Sequence, residues 1–457
     1  MIQKELIGDL KLKWDRMQQA MQKINADGCL LSVDVNLYYT TGHIYNGYFY
    51  LPAEGVPRFF VKRPNGLTGD HVEYIRKPEQ MPELFASHGL KMPEKLLLEA
   101  DELTYNDYIR LQKIFNPKET GNATAMMREL RRIKTPHEIE MFRISAERHA
   151  KTYAEVPECF HPGMTDLEFQ YEIEKRMRKN GSIGLFRAFG ANMDIFMGSI
   201  LAGENAEAPS PFDFALGGGG IDASCPLGAN GTVLKEGTAV MVDMAGNYTA
   251  YMTDMTRVFA VGRLPELAYR AHQTALLIES EIENIARPGT PCAELYEIAA
   301  KITESQGLGA YFMGTRQQAK FVGHGIGLQI NELPVLTPRS KDKLEPNMVF
   351  ALEPKYVIPG VGAVEHRYCF FVFWINDSVV GCRNIQLFYG NRTALVESTV
   401  VRDSLDCSFL SKSKRFGITG GIFCRYRAVS RIMEFRVFIF YPDRNNIFAI
   451  TSDFRFG

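Results

Sequence analysis

The stretch Val240-Met-Val-Asp243-Met-Ala-Gly-Asn-Tyr-Thr-Ala-Tyr-Met-Thr-Asp254-Met-Thr-Arg-Val-Phe259 decides how the rest of the chain is read. It forms two β-rich runs joined by a turn at Ala245-Gly246-Asn247, and each run carries one aspartate. A carboxylate inside an apolar strand is costly unless it is paired or bound to a cation. For one such aspartate a solvated edge position is the plain reading. Two in one apolar hairpin repel each other and ask for positive charge between them. Asp243 and Asp254 are therefore expected to be bridging metal ligands.

The chain has 457 residues, 46% of them apolar and 23% charged, the make-up of a globular protein of two or three domains. A net charge of −1 gives no reason to expect nucleic acid or an acidic membrane surface as partner. The N-terminus is charged and lacks a signal-peptide core, and no apolar run reaches membrane-spanning length. The eight cysteines are scattered with no Cys-x-x-Cys pair, so disulfides are not implied and a cytoplasmic location is expected.

Helical spacing over 5–28 stops at Asp27-Gly28, and the strand-like runs Cys29–Val33, Tyr48–Leu51, Arg58–Lys62 and Lys95–Ala100 follow. With the helical Tyr105–Phe115 they give an α/β alternation. His43, His71 and His88 stand isolated and are read as surface or structural residues. The charged helical stretch 124–151 contains Thr135-Pro136 with Glu138 as a helix start. A domain boundary is placed just before it, giving an N-terminal domain at 1–124 and a catalytic domain at 125–365. Within the latter, helices are expected at 165–180, 265–287 and 291–306, and short strands at 184–262 and 320–365.

Three further groups join the aspartates. Phe321-Val-Gly-His324-Gly-Ile-Gly sets a histidine between glycines; Phe350-Ala-Leu-Glu353-Pro and Gly362-Ala-Val-Glu365 each put a carboxylate in an apolar strand. Ion pairs with Arg257, Lys355 or Arg367 are the bland reading for any single acid. Four carboxylates and one imidazole together make an oxygen-rich site suited to two divalent ions, Mn²⁺ first, with Zn²⁺, Co²⁺ and Fe²⁺ open. Such a pair activates a bridging water and polarises a carbonyl, with Glu353 as the chosen general base.

These segments resemble the pita-bread metallopeptidases, the family of Xaa-Pro aminopeptidases, prolidases and methionine aminopeptidases with creatinase as a relative. The resemblance rests on Val242-Asp243, Asp254-Met-Thr-Arg257, Gly323-His-Gly-Ile-Gly327, Leu352-Glu-Pro354 and Val364-Glu365. Asn36-Leu-Tyr-Tyr-Thr-Thr-Gly42 more loosely resembles the creatinase/prolidase N-terminal domain, so the likeness covers about 10–365. It implies an α/β (α+β) chain with a creatinase-like N-terminal domain and a pita-bread catalytic domain. It implies as well a dinuclear Asp, Asp, His, Glu, Glu centre, short Xaa-Pro peptides as substrate and a homodimer. Two positions depart from the pattern. Serine stands at Ser210 and asparagine at Asn331, where the family usually has histidines that hold substrate; both are expected to bind substrate here, without a positive charge. Two alternatives stay open: a creatinase-like hydrolase of a small non-peptide C–N compound, and a metal-binding, catalytically silent protein. Ala215-Leu-Gly-Gly-Gly-Gly220 is a candidate flexible active-site loop and a poor phosphate cradle.

After Glu365 the composition changes. Residues 366–457 hold eleven Arg but two Lys, and thirteen of the thirty Phe. The family would continue as a strand resembling Glu-Asn-Thr-Val-Thr-Val. Deleting two adenines from a coding string for it yields Glu-His-Arg-Tyr-Cys-Phe, the residues at 365–370. The expectation is a frameshifted, non-family tail; a basic aromatic accessory domain is the alternative.

Overall fold

The computed structural model describes residues 2–190, 196–209, 211 and 217–366, with strand backbone at 368–371, 383–389, 392–398, 423–425, 428–429, 432–439 and 448–455. Ser210, the Ala215 end of the glycine run and the side chains of the tail lie outside the described residues. The chain divides into two compact units, Met1–Thr399 and Val400–Gly457. In the second, strands Phe423–Arg425, Ala428–Val429 and Phe448–Arg455 pair antiparallel with Ile432–Ile439.

The first unit opens with α1 (Ile2–Lys23), β1 (Gly28–Leu31), α2 (Asp34–Thr41), β2 (Asn46–Pro52), β3 (Arg58–Arg63), β4 (Val72–Tyr74), α3 (Met81–Ser87), β5 (Lys95–Leu98), α4 (Tyr105–Phe115), β6 (Glu119–Asn122) and α5 (Ala123–Arg132). The strands form one mixed sheet in the order β4-β3-β2-β1-β5-β6. Alternation along each strand divides the apolar residues between its two faces. Leu30, Tyr48, Tyr50, Leu96 and Leu98 pack with Phe85 of α3 and Phe115 of α4. Leu31, Phe49, Leu51 and Leu97 share a core with Met17 and Met21 of α1 and Met127 of α5. That second core also takes in Phe142, Tyr251, Ile326 and Leu328 from later in the chain, so the N-terminal sheet is buried against the elements that follow.

Those elements are α6 (Pro136–Glu155), α7 (Asp166–Lys179), β7 (Gly198–Ala202), β8 (Thr238–Gly246), β9 (Thr253–Val261), α8 (Glu266–Ile285), α9 (Cys292–Ser305), β10 (Gly323–Gly325), β11 (Glu332–Val335), β12 (Val349–Leu352), β13 (Lys355–Ile358), β14 (Gly362–Glu365) and β15 (Tyr368–Phe371). Helices α6 and α7 each begin at a capping box, Thr135 with Glu138 and Thr165 with Glu168, where side chain and backbone satisfy each other's orphan N–H. β7, β8 and β9 lie side by side in one sheet; β11, β10, β12 and β15 form a second, and β13 pairs with β14.

The hairpin holding the two aspartates is β8–β9, antiparallel with Asp243 opposite Thr256 and Ala245 opposite Asp254. Its connection is longer than the sequence indicates. β8 runs through Ala245 and Gly246, and the chain returns at Thr253. The intervening residues are held by α6: Tyr248 N–H donates to Ser145 Oγ (3.2 Å), and Ser145 Oγ donates to the Tyr251 carbonyl (3.1 Å). The described part of the glycine run, Gly217–Gly220, is also tied down, with Gly219 N–H donating to Asn205 Oδ1 at 2.8 Å. Gly218 sits at φ +100, and a Cβ there would meet the Gly228 carbonyl at 2.3 Å, so this turn requires glycine. Among the described residues no helix is long and apolar enough to cross a membrane.

Candidate metal centre

Strand periodicity aims the acids. Val240, Val242 and Met244 of β8 pack with Phe169 and Ile173 of α7 on one face of the sheet. Their alternates face the other way: Ala239 joins the α8–α9 core, and Met241 packs with Val357 and Ala363. Asp243 continues that second face, and Asp254, opposite Ala245, shares it. β14 is laid along the same face. Ala239 N–H donates to the Val361 carbonyl (2.9 Å), and Gly362 approaches so closely that a Cβ would lie 2.6 Å from the Ala239 carbonyl. With Val361 beside Ala239 and Ala363 on Met241, the same two-residue step carries Glu365 toward Asp243. Glu365 is itself paired in register with Lys355 of β13.

His324 and Glu353 arrive from the second sheet. Gly323 lies opposite Leu352, and Glu353 N–H donates to the Val322 carbonyl at 2.9 Å, so β10 and β12 present the two side chains together. His324 Nε2 stands 3.4 Å from Asp254 Oδ2 and 3.4 Å from Glu353 Oε1. Both distances exceed an ordinary hydrogen bond between such groups. Two donors each about 2.1 Å from one tetrahedral divalent ion stand about 3.4 Å apart, so the spacing fits a shared cation. The imidazole is oriented for this. Its Nδ1 lies 3.1 Å from the Gly325 carbonyl, and an N–H donated there leaves the Nε2 lone pair facing the carboxylates.

Asp243, Asp254, Glu353 and Glu365 are all buried. Each buried anion is costly, and cationic partners are what offset it. The His324 side chain remains 16% exposed, which leaves the centre a route to solvent. An oxygen-rich donor set with one imidazole is a fit for divalent metal ions. Among the described residues, then, Asp254 and Glu353 each stand 3.4 Å from His324, while Asp243 and Glu365 lie on β8 and β14, two strands that pack on each other.

Several supporting groups went unread in the sequence. Thr256 Oγ1 donates to Asp243 Oδ1 at 2.8 Å. Tyr153 of α6 donates its hydroxyl to the Val242 carbonyl (3.1 Å) and accepts from Met244 N–H (3.1 Å), fixing β8 at the level of Asp243. His149 meets Thr253 Oγ1 at 2.9 Å; burial pushes its imidazole down to about 3, against the pull of Asp254 and with the push of Arg257. Thr256 was at hand within the quoted motif, but its hydroxyl finds its use only once strand pairing sets it opposite Asp243. Asn331 is engaged at both ends of its carboxamide by the backbone of Phe189.

The profile of Metallopeptidase family M24 matches residues 140–379, more than half of the chain. The chain belongs to metallopeptidase family M24. The profile of the Creatinase/Prolidase N-terminal domain matches residues 13–133 of this M24 chain. Among curated proteins it is similar to the Xaa-Pro dipeptidase of Pyrococcus furiosus, 26% identical over 361 residues, covering 78% of this chain and 93% of the relative. Among solved structures it is similar in fold to the Xaa-Pro dipeptidase from Bacillus anthracis (TM-score 0.67, 23% identity, 81% of this chain and 97% of that one). The prolidase from Pyrococcus horikoshii is comparably similar (TM-score 0.64, 22% identity, 80% and 96%). The α/β architecture with a creatinase-type N-terminal domain and a pita-bread catalytic domain is thus established for this M24 protein. It is a hydrolase, a peptidase dependent on divalent metal ions.

Proposed function

We propose that this M24 protein hydrolyses short peptides at Xaa-Pro bonds, with Asp243, Asp254, His324, Glu353 and Glu365 holding two divalent ions, Mn²⁺ for choice. The observation that carries the reading is the placement of His324 Nε2 at 3.4 Å from both the Asp254 and Glu353 carboxylates, with all three side chains inside the M24 match. Bound there, the ions supply Lewis-acid polarisation and make water a competent nucleophile near neutral pH. Glu353 takes the proton from the attacking water and hands it on to the leaving amine. Asp243, held by the Thr256 hydroxyl, keeps a fixed orientation throughout. The Xaa-Pro preference draws on the name of the Pyrococcus furiosus relative.

Mn²⁺-loaded protein assayed on Xaa-Pro dipeptides and tripeptides tests the proposal. Turnover that Glu353→Gln lowers by at least a hundredfold, with metal still bound, is the expected result. Metal uptake without turnover of any peptide identifies the silent protein instead. Turnover confined to a small non-peptide C–N compound identifies the creatinase-like activity.

A further inference from the structure

Two asparagines outside the ligand set do matching work. Asn247 follows Asp243 in the β8–β9 connection, and Asn331 lies on the loop that leaves His324. Asn247 Oδ1 accepts from Ser182 Oγ (2.7 Å) and Gly184 N–H (3.0 Å), its Nδ2 donates to the Leu185 carbonyl, and its own carbonyl accepts from Ile183 N–H (3.0 Å). Asn331 Oδ1 accepts from Phe189 N–H (2.7 Å), and its Nδ2 donates to the Phe189 carbonyl (2.9 Å). Ile330 N–H adds a bond to the Arg187 carbonyl at 2.8 Å. The Arg128 guanidinium lies 4.0 Å from the centre of the Phe189 ring. Phe186 and Ala188, both half-buried, pack against the core that holds Ile326, Leu328 and Met252. The two loops are themselves joined, Met252 N–H donating to the Gly327 carbonyl at 2.7 Å.

We infer that Asn247 and Asn331 are positioning residues that hold segment 182–189 as a strap across the two loops flanking the metal centre, and that the strap forms a wall against which the peptide substrate is seated. A carboxamide carries a donor and an acceptor side by side, as a peptide unit does, and so matches the N–H and C=O of one residue. Imidazole carries its two nitrogens on different edges of the ring and has no such match. In this chain the residue at 331 acts on substrate through the strap it holds. The kinetic part of this inference rests on the peptidase reading; the structural part does not.

The experiment compares the parent, Asn331→Ala, Asn331→His and Asn247→Ala, each as full-length Mn²⁺-loaded protein. Hydrogen exchange is followed in peptides covering 182–190, alongside kinetics on an Xaa-Pro dipeptide. Each variant is expected to speed exchange in that segment at least tenfold while exchange in β8 and β12 stays as in the parent. KM is expected to rise at least fivefold with kcat within threefold of the parent. Unchanged exchange at 182–190 in Asn331→Ala overturns the strap. A kcat loss at constant KM also overturns it, since Asn331 would then act on the reacting atoms. If the parent turns over no Xaa-Pro peptide, the peptidase reading fails, and the exchange comparison still decides the strap.

Discussion

The Thr256 hydroxyl donates to Asp243 Oδ1 at 2.8 Å and helps fix that carboxylate in its strand. Groups that orient a metal ligand from behind typically govern affinity by ten- to a hundredfold. Thr256→Val keeps the shape and removes the donor. It is expected to weaken metal binding by about tenfold, read by titration with a metal-sensitive dye; unchanged affinity contradicts the role. At this scale sequence reasoning reaches far for the acids, because a charge within an apolar strand such as Phe350-Ala-Leu-Glu353 stands out against its neighbours. It reaches less far for Tyr153 and His149. Their partners at Met244 and Thr253 lie on strands remote in sequence, so nothing adjacent signals the contact.

At the scale of elements, local chemistry was legible and tertiary demands were not. The capping boxes at Thr135 and Thr165 are written in four consecutive residues, and both helices begin there. The β8–β9 connection departs from the expected tight turn because α6 stretches it through Ser145. Helix α5 joins the N-terminal sheet to the loop beyond His324. Arg131 donates to Asn36 Oδ1 at 2.7 Å and to Gln329 Oε1, and its Nε lies 3.3 Å from Glu332. Burial works against the Glu332 carboxylate, yet Lys134 and Arg131 hold it below the usual range. Removing one partner from a buried pair costs about 3–5 kcal/mol. Arg131→Met is expected to destabilise the fold by that order in denaturant melts; a loss under about 1 kcal/mol contradicts the network.

For the whole molecule, the layered α/β plan follows from alternation in the strands and helical spacing between them. The way the two sheets bring residues near 243 and 353 together is long-range: acids in apolar strands marked the members of one site, and the resemblance supplied the family order, but neither gave the geometry. Titration acts at this scale too. His149 is pushed down to about 3 and His272 to about 4, both chiefly by burial, from an ordinary value near 6.5. A depressed histidine leaves the folded state with fewer protons, so stability falls as pH drops below about 6.5, by roughly 1.4 kcal/mol per pH unit for each. Glu99, raised to about 7 by burial despite bonds from Ser32 and Asn36, acts oppositely, gaining stability as pH falls from about 7 toward 4.5. The histidine contributions are isolated by comparing the parent with His149→Gln and His272→Gln: the parent's melting temperature is expected to fall relative to each variant's between pH 6.5 and 5. A flat or rising difference contradicts the buried, neutral state of His149 and His272.

The central claim is that five side chains from three sheets hold two cations. Crystals of Mn²⁺-loaded protein, measured at the manganese edge, address it directly. The account predicts two anomalous peaks bounded by Asp243, Asp254, His324, Glu353 and Glu365, each within about 2.0–2.5 Å of its donors. Peaks only elsewhere on the molecule, or none among these residues, would contradict it.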